Sequence, residues 1–172
     1  RRRKTEASLG LLKTPDESGP CGALDAGTGN GDLRGAVLKG MNLQETDPKQ
    51  LSPLVLAYIG DCVYDLVIKT YLLDKKGNMP VNKLNRMASS LVKAETQSKL
   101  IGFIEESLTA DEESVYKRGR NAKSYTSAKN ASIGDYRRAT GFEALMGYLY
   151  LGRRYDRMVE LVKMALDAFG KI

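Results

Sequence analysis

The chain has 172 residues, of which 42% are hydrophobic, and this is enough for a single domain with a buried core. It contains no histidine, which excludes histidine-containing catalytic triads, a histidine general base and histidine-ligated zinc. Two cysteines are too few for a four-cysteine zinc site or a disulfide framework. The net charge of +6 favours an anionic partner. Any catalysis must therefore use carboxylates, lysine, tyrosine, hydroxyl groups or a metal ion bound by oxygen.

The N-terminal part of the chain has the composition of a flexible segment. Residues 1–46 hold eight of the 17 glycines and show little hydrophobic periodicity. We expect a flexible, glycine-rich tail over residues 1–46 and a folded domain over residues 47–172. The run Gly27–Gly31 lacks the preceding strand and the following Gly-Lys-Ser/Thr of a nucleotide-binding loop, so it is assigned no ligand.

No segment has the properties of a membrane anchor. The longest apolar stretch, residues 54–68, contains Asp61 and Asp65, whereas a bilayer-spanning helix needs about 20 mostly uncharged residues. No basic-then-apolar leader precedes the fold, and the two cysteines lie in unrelated contexts. We therefore expect a cytoplasmic protein without a membrane partner.

Apolar residues at helical spacing begin near Asp47 and predict an all-α domain. Asp47 and Pro48 have the chemistry of a helix start. The apolar residues that follow at three- and four-residue steps are Leu51, Leu54, Val55, Tyr58 and Cys62. This first helix is predicted to continue to Leu73.

Five further helices follow in the prediction. Thr109 and Glu112 have the spacing of a capping box that opens a helix towards Lys123. Ser124–Gly134 is rich in Ser, Thr, Asn and Ala and predicts a loop. The other predicted helices cover residues 80–91, with Pro80 in the first turn, residues 100–108, residues 135–151 and residues 155–169.

Three carboxylates stand alone in apolar helices. Asp61 and Asp65 are the only charged residues within residues 54–68, and their four-residue spacing puts both on one helix face. Glu143 is the only charged residue within residues 140–151. A carboxylate buried without a partner costs several kcal/mol, so some group must compensate each charge.

Two kinds of compensation are open. Either Lys or Arg side chains pair with these acids, or the acids emerge at a solvent-facing edge. Alternatively, Asp61 and Glu143 bind a divalent cation, because Mg²⁺ takes one or two carboxylates together with waters and substrate phosphates. Mg²⁺ is the expected ion, with Mn²⁺ as the alternative. Gly60 and Gly147 flank these acids, and their missing side chains favour a close approach of the two helices.

The positive charge is concentrated in residues 117–138, which carry seven basic residues against one acid, a net charge of +6. We interpret this window as a surface for the phosphate backbone of a nucleic acid, with a solvated helix face as the simpler alternative. The candidate binding residues are Lys117, Arg118, Arg120, Lys123, Lys129, Arg137 and Arg138. Carboxylates beside a phosphate-binding surface indicate metal-assisted hydrolysis of a phosphodiester.

The segments around the two acids resemble a known family. Tyr58-Ile-Gly-Asp-Cys-Val63 is similar to the ribonuclease III signature, and Phe142-Glu-Ala-Leu-Met-Gly147 is similar to a later Phe-Glu-Ala-Leu segment of that family. Lys117–Ser124 and Tyr136–Leu145 resemble more closely its Mini-ribonuclease III branch, which has the catalytic domain without an appended double-stranded-RNA-binding domain. The resemblance covers residues 47–170.

This resemblance implies a ribonuclease III-like endonuclease domain that forms a helical homodimer and cuts double-stranded RNA. It implies that Asp61 and Glu143 are catalytic, metal-binding residues, that the basic window binds RNA, and that the substrate is the precursor of large-subunit (23S) ribosomal RNA. Two acids of the larger family are replaced here by Ala57 and Thr140. Asp65 either supplies an outer-sphere carboxylate or pairs with Lys69 one turn away.

Two other functions fit parts of this pattern. A non-catalytic, ribosome-associated helical dimer with a degenerate ribonuclease III fold would bind RNA, but it has little reason to keep a lone acid at positions 61 and 143. A scaffold for an acidic protein would need the basic window and neither acid. The two carboxylates therefore favour a nuclease.

Overall fold

The computed structural model describes residues 32–123 and 132–170. Within these ranges every regular element is a helix and no β-strand occurs, which confirms the all-α prediction. The helices are α1 (Leu33–Gly40), α2 (Pro53–Lys76), α3 (Val81–Val92), α4 (Ala94–Ile104), α5 (Ala110–Asn121), α6 (Ile133–Leu151) and α7 (Tyr155–Phe169). Short 3-10 turns cover Pro48–Gln50 and Glu105–Ser107. No helix in the described ranges is long and apolar enough to cross a membrane.

The chain divides into two compact units, residues 1–41 and 42–172. Helix α1 lies in the first unit, and the Asp32 side chain caps it by accepting the backbone N–H of Gly35. The sequence predicted no regular structure before Asp47, so α1 is a correction to that expectation. The run Gly27–Gly31 lies outside the described residues, and the domain boundary near Asp47 stays a prediction.

The limits of α2 differ from the prediction at both ends. Asp47 caps only the first 3-10 turn, and α2 begins at Pro53 with Ser52 as its cap. Proline suits this first position because its nitrogen carries no hydrogen that would need a partner. The helix runs past the predicted end to Lys76, where Gly77 adopts a φ of 64° and ends it.

The predicted capping box opens α5. Thr109 Oγ1 accepts the backbone N–H of Glu112, and the Glu112 carboxylate accepts the backbone N–H of Thr109. The same carboxylate is fully buried and pairs with Arg154 and Arg157, so it also ties α5 to the start of α7. Ser132 caps α6, which therefore starts inside the predicted Ser124–Gly134 loop, and residues 124–131 lie outside the described residues.

Helix α6 is the centre of the second unit and packs against α2, α4, α5 and α7. From Ala139 to Leu149 every residue is buried except Glu143, which is half-buried. Phe142 contacts Tyr64 of α2 edge to face, with the ring centroids 5.0 Å apart. Burial on nearly all sides explains why the sequence around Glu143 is almost continuously apolar.

Helix α2 is apolar on two faces. Leu56, Val63 and Tyr64 are buried in the core. The apolar row that the spacing singled out is exposed over most of its length, and 77% of the Tyr58 surface is accessible. Because both rows repeat at helical spacing, the sequence does not distinguish the core face from the second one.

Candidate active site

Helices α2 and α6 cross at two glycines. A Cβ atom on Gly60 would overlap the backbone carbonyl of Glu143, and a Cβ atom on Gly147 would overlap that of Leu56. The close approach predicted from these glycines is confirmed. It places the acids at positions 61 and 143 on two helices whose backbones are in contact.

Glu143 is half-buried at this crossing. Burial raises the pKa of its carboxyl to about 7, and the negative charge of Asp61 acts in the same direction. A hydrogen bond from Gln97 lowers the pKa of Glu143 and offsets part of this effect. Because the charge of Asp61 raises the pKa of Glu143, the two carboxylates are close enough to interact electrostatically.

Asp61 lies at the solvent edge of the crossing. Partial burial raises its pKa, and the charge of Asp65 adds to this effect. Asp65 itself pairs with Lys69, whose Nζ lies 2.6 Å from Asp65 Oδ2. This intrahelical pair confirms one of the two roles considered for Asp65, and the predicted emergence at a solvent edge describes Asp61 but not Glu143.

Neither Asp61 nor Glu143 pairs with a lysine or arginine among the described residues, and the charges that shift their pKa values are carboxylates. Within residues 32–123 and 132–170, no group of three or more Cys, Asp and Glu side chains is arranged to hold a metal ion. Two carboxylates on facing helices fit Mg²⁺, which completes its shell with waters and phosphate oxygens. They do not fit a structural zinc ion, which needs four protein ligands.

The positions of the two replaced family acids face the interior. Ala57 and Thr140 are each 6% exposed. Thr140 Oγ1 donates to the Tyr136 carbonyl oxygen over 3.0 Å, so this hydroxyl is bonded within its own helix. Neither position supplies a carboxylate, so the acids of the predicted site at this crossing are Asp61 and Glu143.

Gln97 of α4 contacts Glu143 and belongs to none of the sequence motifs described above. Gln97 is 1% exposed, and its Nε2 donates to Glu143 Oε1 over 3.1 Å. A signal was present in the sequence. Position 97 lies three and four residues before Leu100 and Ile101, so it belongs to the buried face of α4, where a polar side chain requires a partner.

Four of the predicted RNA-binding residues are exposed, namely Lys117, Arg118, Lys123 and Arg137. Arg118, Lys123 and Arg137 form no ion pair with any residue that the structure describes. Lys129 lies outside the described residues. The side chains of Arg118, Lys123 and Arg137 are accessible from solvent, and their predicted role in RNA binding stays a prediction.

Two further basic residues of α5 have neighbours on their own helix. Lys117 Nζ lies 2.7 Å from Glu113 Oε1, one turn earlier. The Arg120 guanidinium lies over the Tyr116 ring, 5.7 Å from its centroid. Both side chains remain at least partly accessible, and their predicted role in RNA binding stays a prediction.

Arg138 points towards α4. Its Nε and Nη2 both donate to the Ser98 carbonyl oxygen over 3.2 Å, and Nη2 lies 3.8 Å from Glu105 Oε2. These contacts connect α6 to α4 and to the turn that follows it. Arg138 therefore braces the helix that carries Glu143, and its predicted role in RNA binding stays a prediction.

Comparison with known proteins agrees with this geometry. The ribonuclease III domain model matches residues 54–154. The chain is 49% identical over 130 residues to the Mini-ribonuclease 3 of Clostridium tetani, which covers 76% of this chain and 86% of that protein. It is 47% identical over 127 residues to the Mini-ribonuclease 3 of Enterococcus faecalis, which covers 73% of this chain and 96% of that protein. The chain belongs to the Mini-ribonuclease 3 group of the ribonuclease III family.

The structural comparison supports the same fold. A crystal structure of a Fusobacterium nucleatum protein matches with a TM-score of 0.64 and 25% identity, covering 74% of this chain and 99% of that one. As a member of the Mini-ribonuclease 3 group, the chain is an endoribonuclease. Asp61 and Glu143 both lie within the matched ribonuclease III domain.

Proposed function

We propose that this endoribonuclease cleaves double-stranded regions of structured RNA, and that Asp61 and Glu143 bind the Mg²⁺ ion that cleavage requires. The observation that carries the proposal is the pair of carboxylates at the crossing of α2 and α6. Each has a raised pKa, and neither is paired with a cation within the described ranges. A divalent cation supplies the missing charge compensation.

The two carboxylates have different tasks in this proposal. A divalent cation, when bound, activates water and neutralises charge on the phosphate oxygens. Asp61 is exposed to solvent, so its carboxylate lies on the side of the site from which the RNA would approach. Glu143 lies deeper and is held by Gln97. Mn²⁺ also accepts oxygen ligands and is expected to replace Mg²⁺.

The exposed cations of α5 and α6 support binding of an RNA duplex. A-form RNA presents phosphates and 2′-hydroxyl groups, whereas its major groove is too deep and narrow to be read by side chains. Charged donors such as Arg118, Lys123 and Arg137 therefore suit this substrate. Lys117, Arg120 and Lys129 belong to the same proposed surface, while Arg138 contributes by bracing α6.

The exposed apolar row of α2 supports a homodimer. Val55, Tyr58 and Leu66 are 47%, 77% and 54% exposed, and with the exposed Cys62 they repeat at three- and four-residue steps. Such a row is stabilised by burial against another protein surface. A two-fold dimer suits a duplex, because it brings one site to each of two antiparallel strands.

The cellular substrate that we propose is the precursor of large-subunit ribosomal RNA, on the basis of the resemblance to the Mini-ribonuclease III branch. The names of the relatives specify a ribonuclease and no substrate. A ribosomal RNA precursor implies that the enzyme acts in the cytoplasm.

Incubation of the purified protein with a long duplex RNA tests the proposed reaction. We expect cleavage with Mg²⁺, no cleavage with a chelator, and no cleavage of the single strand of the same sequence with Mg²⁺. An intact duplex in Mg²⁺ would favour the non-catalytic helical dimer. Cleavage that persists in chelator would contradict the role of the metal.

A further inference from the structure

Three buried or partly buried side chains cap the C-terminal end of α3. Helix C-termini leave carbonyl groups without intrahelical partners. Thr96 Oγ1, Tyr64 Oη and Gln97 Nε2 donate to the carbonyl oxygens of residues 90, 91 and 92 over 2.7, 3.2 and 2.8 Å, respectively. These bonds fix the corner between α3 and α4 against α2.

Among these three capping groups, Gln97 is the one whose side chain also contacts a candidate active-site acid. Its Nε2 has two hydrogens, one for the Val92 carbonyl and one for Glu143 Oε1 at 3.1 Å. Its Oε1 is buried and has no hydrogen-bond partner among the described residues. The two acceptors set the orientation of the Gln97 amide. Reversing the amide would place its oxygen against the Val92 carbonyl oxygen and Glu143 Oε1.

We propose that Gln97 is a positioning residue, which holds the Glu143 carboxylate in the orientation that divalent metal binding requires. The inference rests on the proposed metal role of Asp61 and Glu143. A glutamate side chain has three rotatable bonds, and a buried donor that is itself anchored to the backbone restricts them. The anchor here is the Val92 carbonyl at the end of α3.

The packing of α4 against α6 has other supports. Arg138 of α6 donates twice to the Ser98 carbonyl, and Leu100, Ile101 and Ile104 are fully buried in the core. Loss of the Gln97 amide therefore leaves α4 in place. Its specific effect falls on the Glu143 carboxylate.

Two substitutions at adjacent positions separate positioning from stability. Gln97→Met keeps the length and volume of the side chain and removes the donor to Glu143. Thr96→Val is the matched control, since Thr96 is 3% exposed, bonds the same helix end and has no hydrogen bond to an acid among the described residues. Asp61→Asn provides the reference for loss of a proposed ligand.

The measurements are Mn²⁺ binding to RNA-free protein by electron paramagnetic resonance, the Mg²⁺ dependence of duplex RNA cleavage, and the melting temperature. We expect Gln97→Met to weaken Mn²⁺ binding by about 10- to 100-fold and to raise the half-saturating Mg²⁺ concentration to match. The KM for RNA stays unchanged. Thr96→Val lowers the melting temperature to a similar extent but keeps the metal affinity of the wild type.

Each other result overturns a defined part of the account. Wild-type Mn²⁺ affinity in Gln97→Met, with weakened affinity in Asp61→Asn, overturns the positioning role and leaves the metal site standing. Wild-type affinity in Asp61→Asn overturns the metal site itself. An equal loss in Thr96→Val and Gln97→Met assigns the effect to the stability of the α3–α4 corner and overturns the inference.

If circular dichroism shows that Gln97→Met is unfolded, Gln97→Asn replaces it in the same comparison. Asparagine keeps a buried amide but is one methylene too short to reach both acceptors. The expected and the contradicting metal affinities are the same as for Gln97→Met.

Discussion

At Glu143, a single side chain is subject to two opposing requirements. Burial beside Asp61 favours the protonated acid and raises its pKa to about 7, whereas metal binding requires the carboxylate. In the proposed site, proton and metal therefore compete for the same oxygens near neutral pH. The proposed site is expected to bind Mg²⁺ more tightly as the pH rises through 7.

The raised pKa of Glu143 also predicts how stability depends on pH. The folded wild type keeps this proton up to a pH of about 7, whereas the ordinary value of the carboxyl is 4.5. Between these values the folded state binds more protons than the unfolded state, so stability falls as the pH rises. Thermal unfolding of wild type and Glu143→Gln in chelator measures this effect as a melting-temperature difference that changes across the window. Parallel curves for the two proteins would contradict it.

The side-chain contacts of the site residues differ in how well the sequence predicts them. The pair of Asp65 and Lys69 follows from four-residue spacing on one helix, and it is present. The hydrogen bond between Gln97 and Glu143 joins residues 46 positions apart, so it depends on how α4 packs on α6. No local pattern encodes that packing. Composition likewise placed Arg138 in the RNA-binding window, whereas its hydrogen bonds go to α4.

Glycine sets the distance between helices α2 and α6. We expect Gly147→Ala to lower the free energy of unfolding by about 1–3 kcal/mol, because the added methyl group overlaps the Leu56 carbonyl. Gly134→Ala is the control on the same helix, since its methyl group would meet only Ser132 Oγ at an ordinary 3.7 Å. That variant is expected to gain up to about 1 kcal/mol from helix propensity. Urea unfolding that ranks Gly147→Ala as the more stable variant would exclude a tight crossing.

Helix ends are predictable where side-chain chemistry marks them. The sequence predicts the capping box at Thr109 because its two bonds join residues three apart. The predicted start of α2 is too early, because Asp47 and Pro48 form a similar signal that opens only a 3-10 turn. The sequence does not predict α1, since its glycines resemble a linker and its cap, Asp32, is a common loop residue.

The exposed apolar row of α2 predicts the oligomeric state of the protein. Leu66→Glu is expected to produce a monomer, because the proposed dimer would bury this charge without a partner. Val159→Glu on α7 is the matched control, since Val159 is 49% exposed and Leu66 is 54% exposed. Light scattering coupled to size-exclusion chromatography measures both masses. A dimeric Leu66→Glu protein would exclude the α2 row as the dimer interface.

The charge distribution of the whole molecule predicts the salt dependence of RNA binding. In an Asp61→Asn background, alanine at Arg118, Arg120 and Lys123 is expected to weaken duplex binding and to flatten its salt dependence. The logarithmic slope is expected to fall by about 0.9 for each phosphate group that the variant no longer neutralises, as for B-form DNA. Alanine at Lys75, Lys76 and Lys163 removes the same charge elsewhere and provides the control. Equal slopes in the two triple variants would show that the first three residues face only solvent.

If Asp61 is a metal ligand, Asp61→Asn and Asp65→Asn must differ in the Mg²⁺-dependent cleavage of duplex RNA. The two residues lie one turn apart on α2, and each change removes one negative charge at nearly constant volume. We expect Asp61→Asn to lower kcat by about 100-fold or more, because several kcal/mol of charge stabilisation are lost. Asp65→Asn loses the pair with Lys69 and a charge that raises the pKa of Asp61, and we expect it to keep kcat within a few fold of the wild type. Near-normal cleavage by Asp61→Asn, or an equal loss in both variants, would contradict the account.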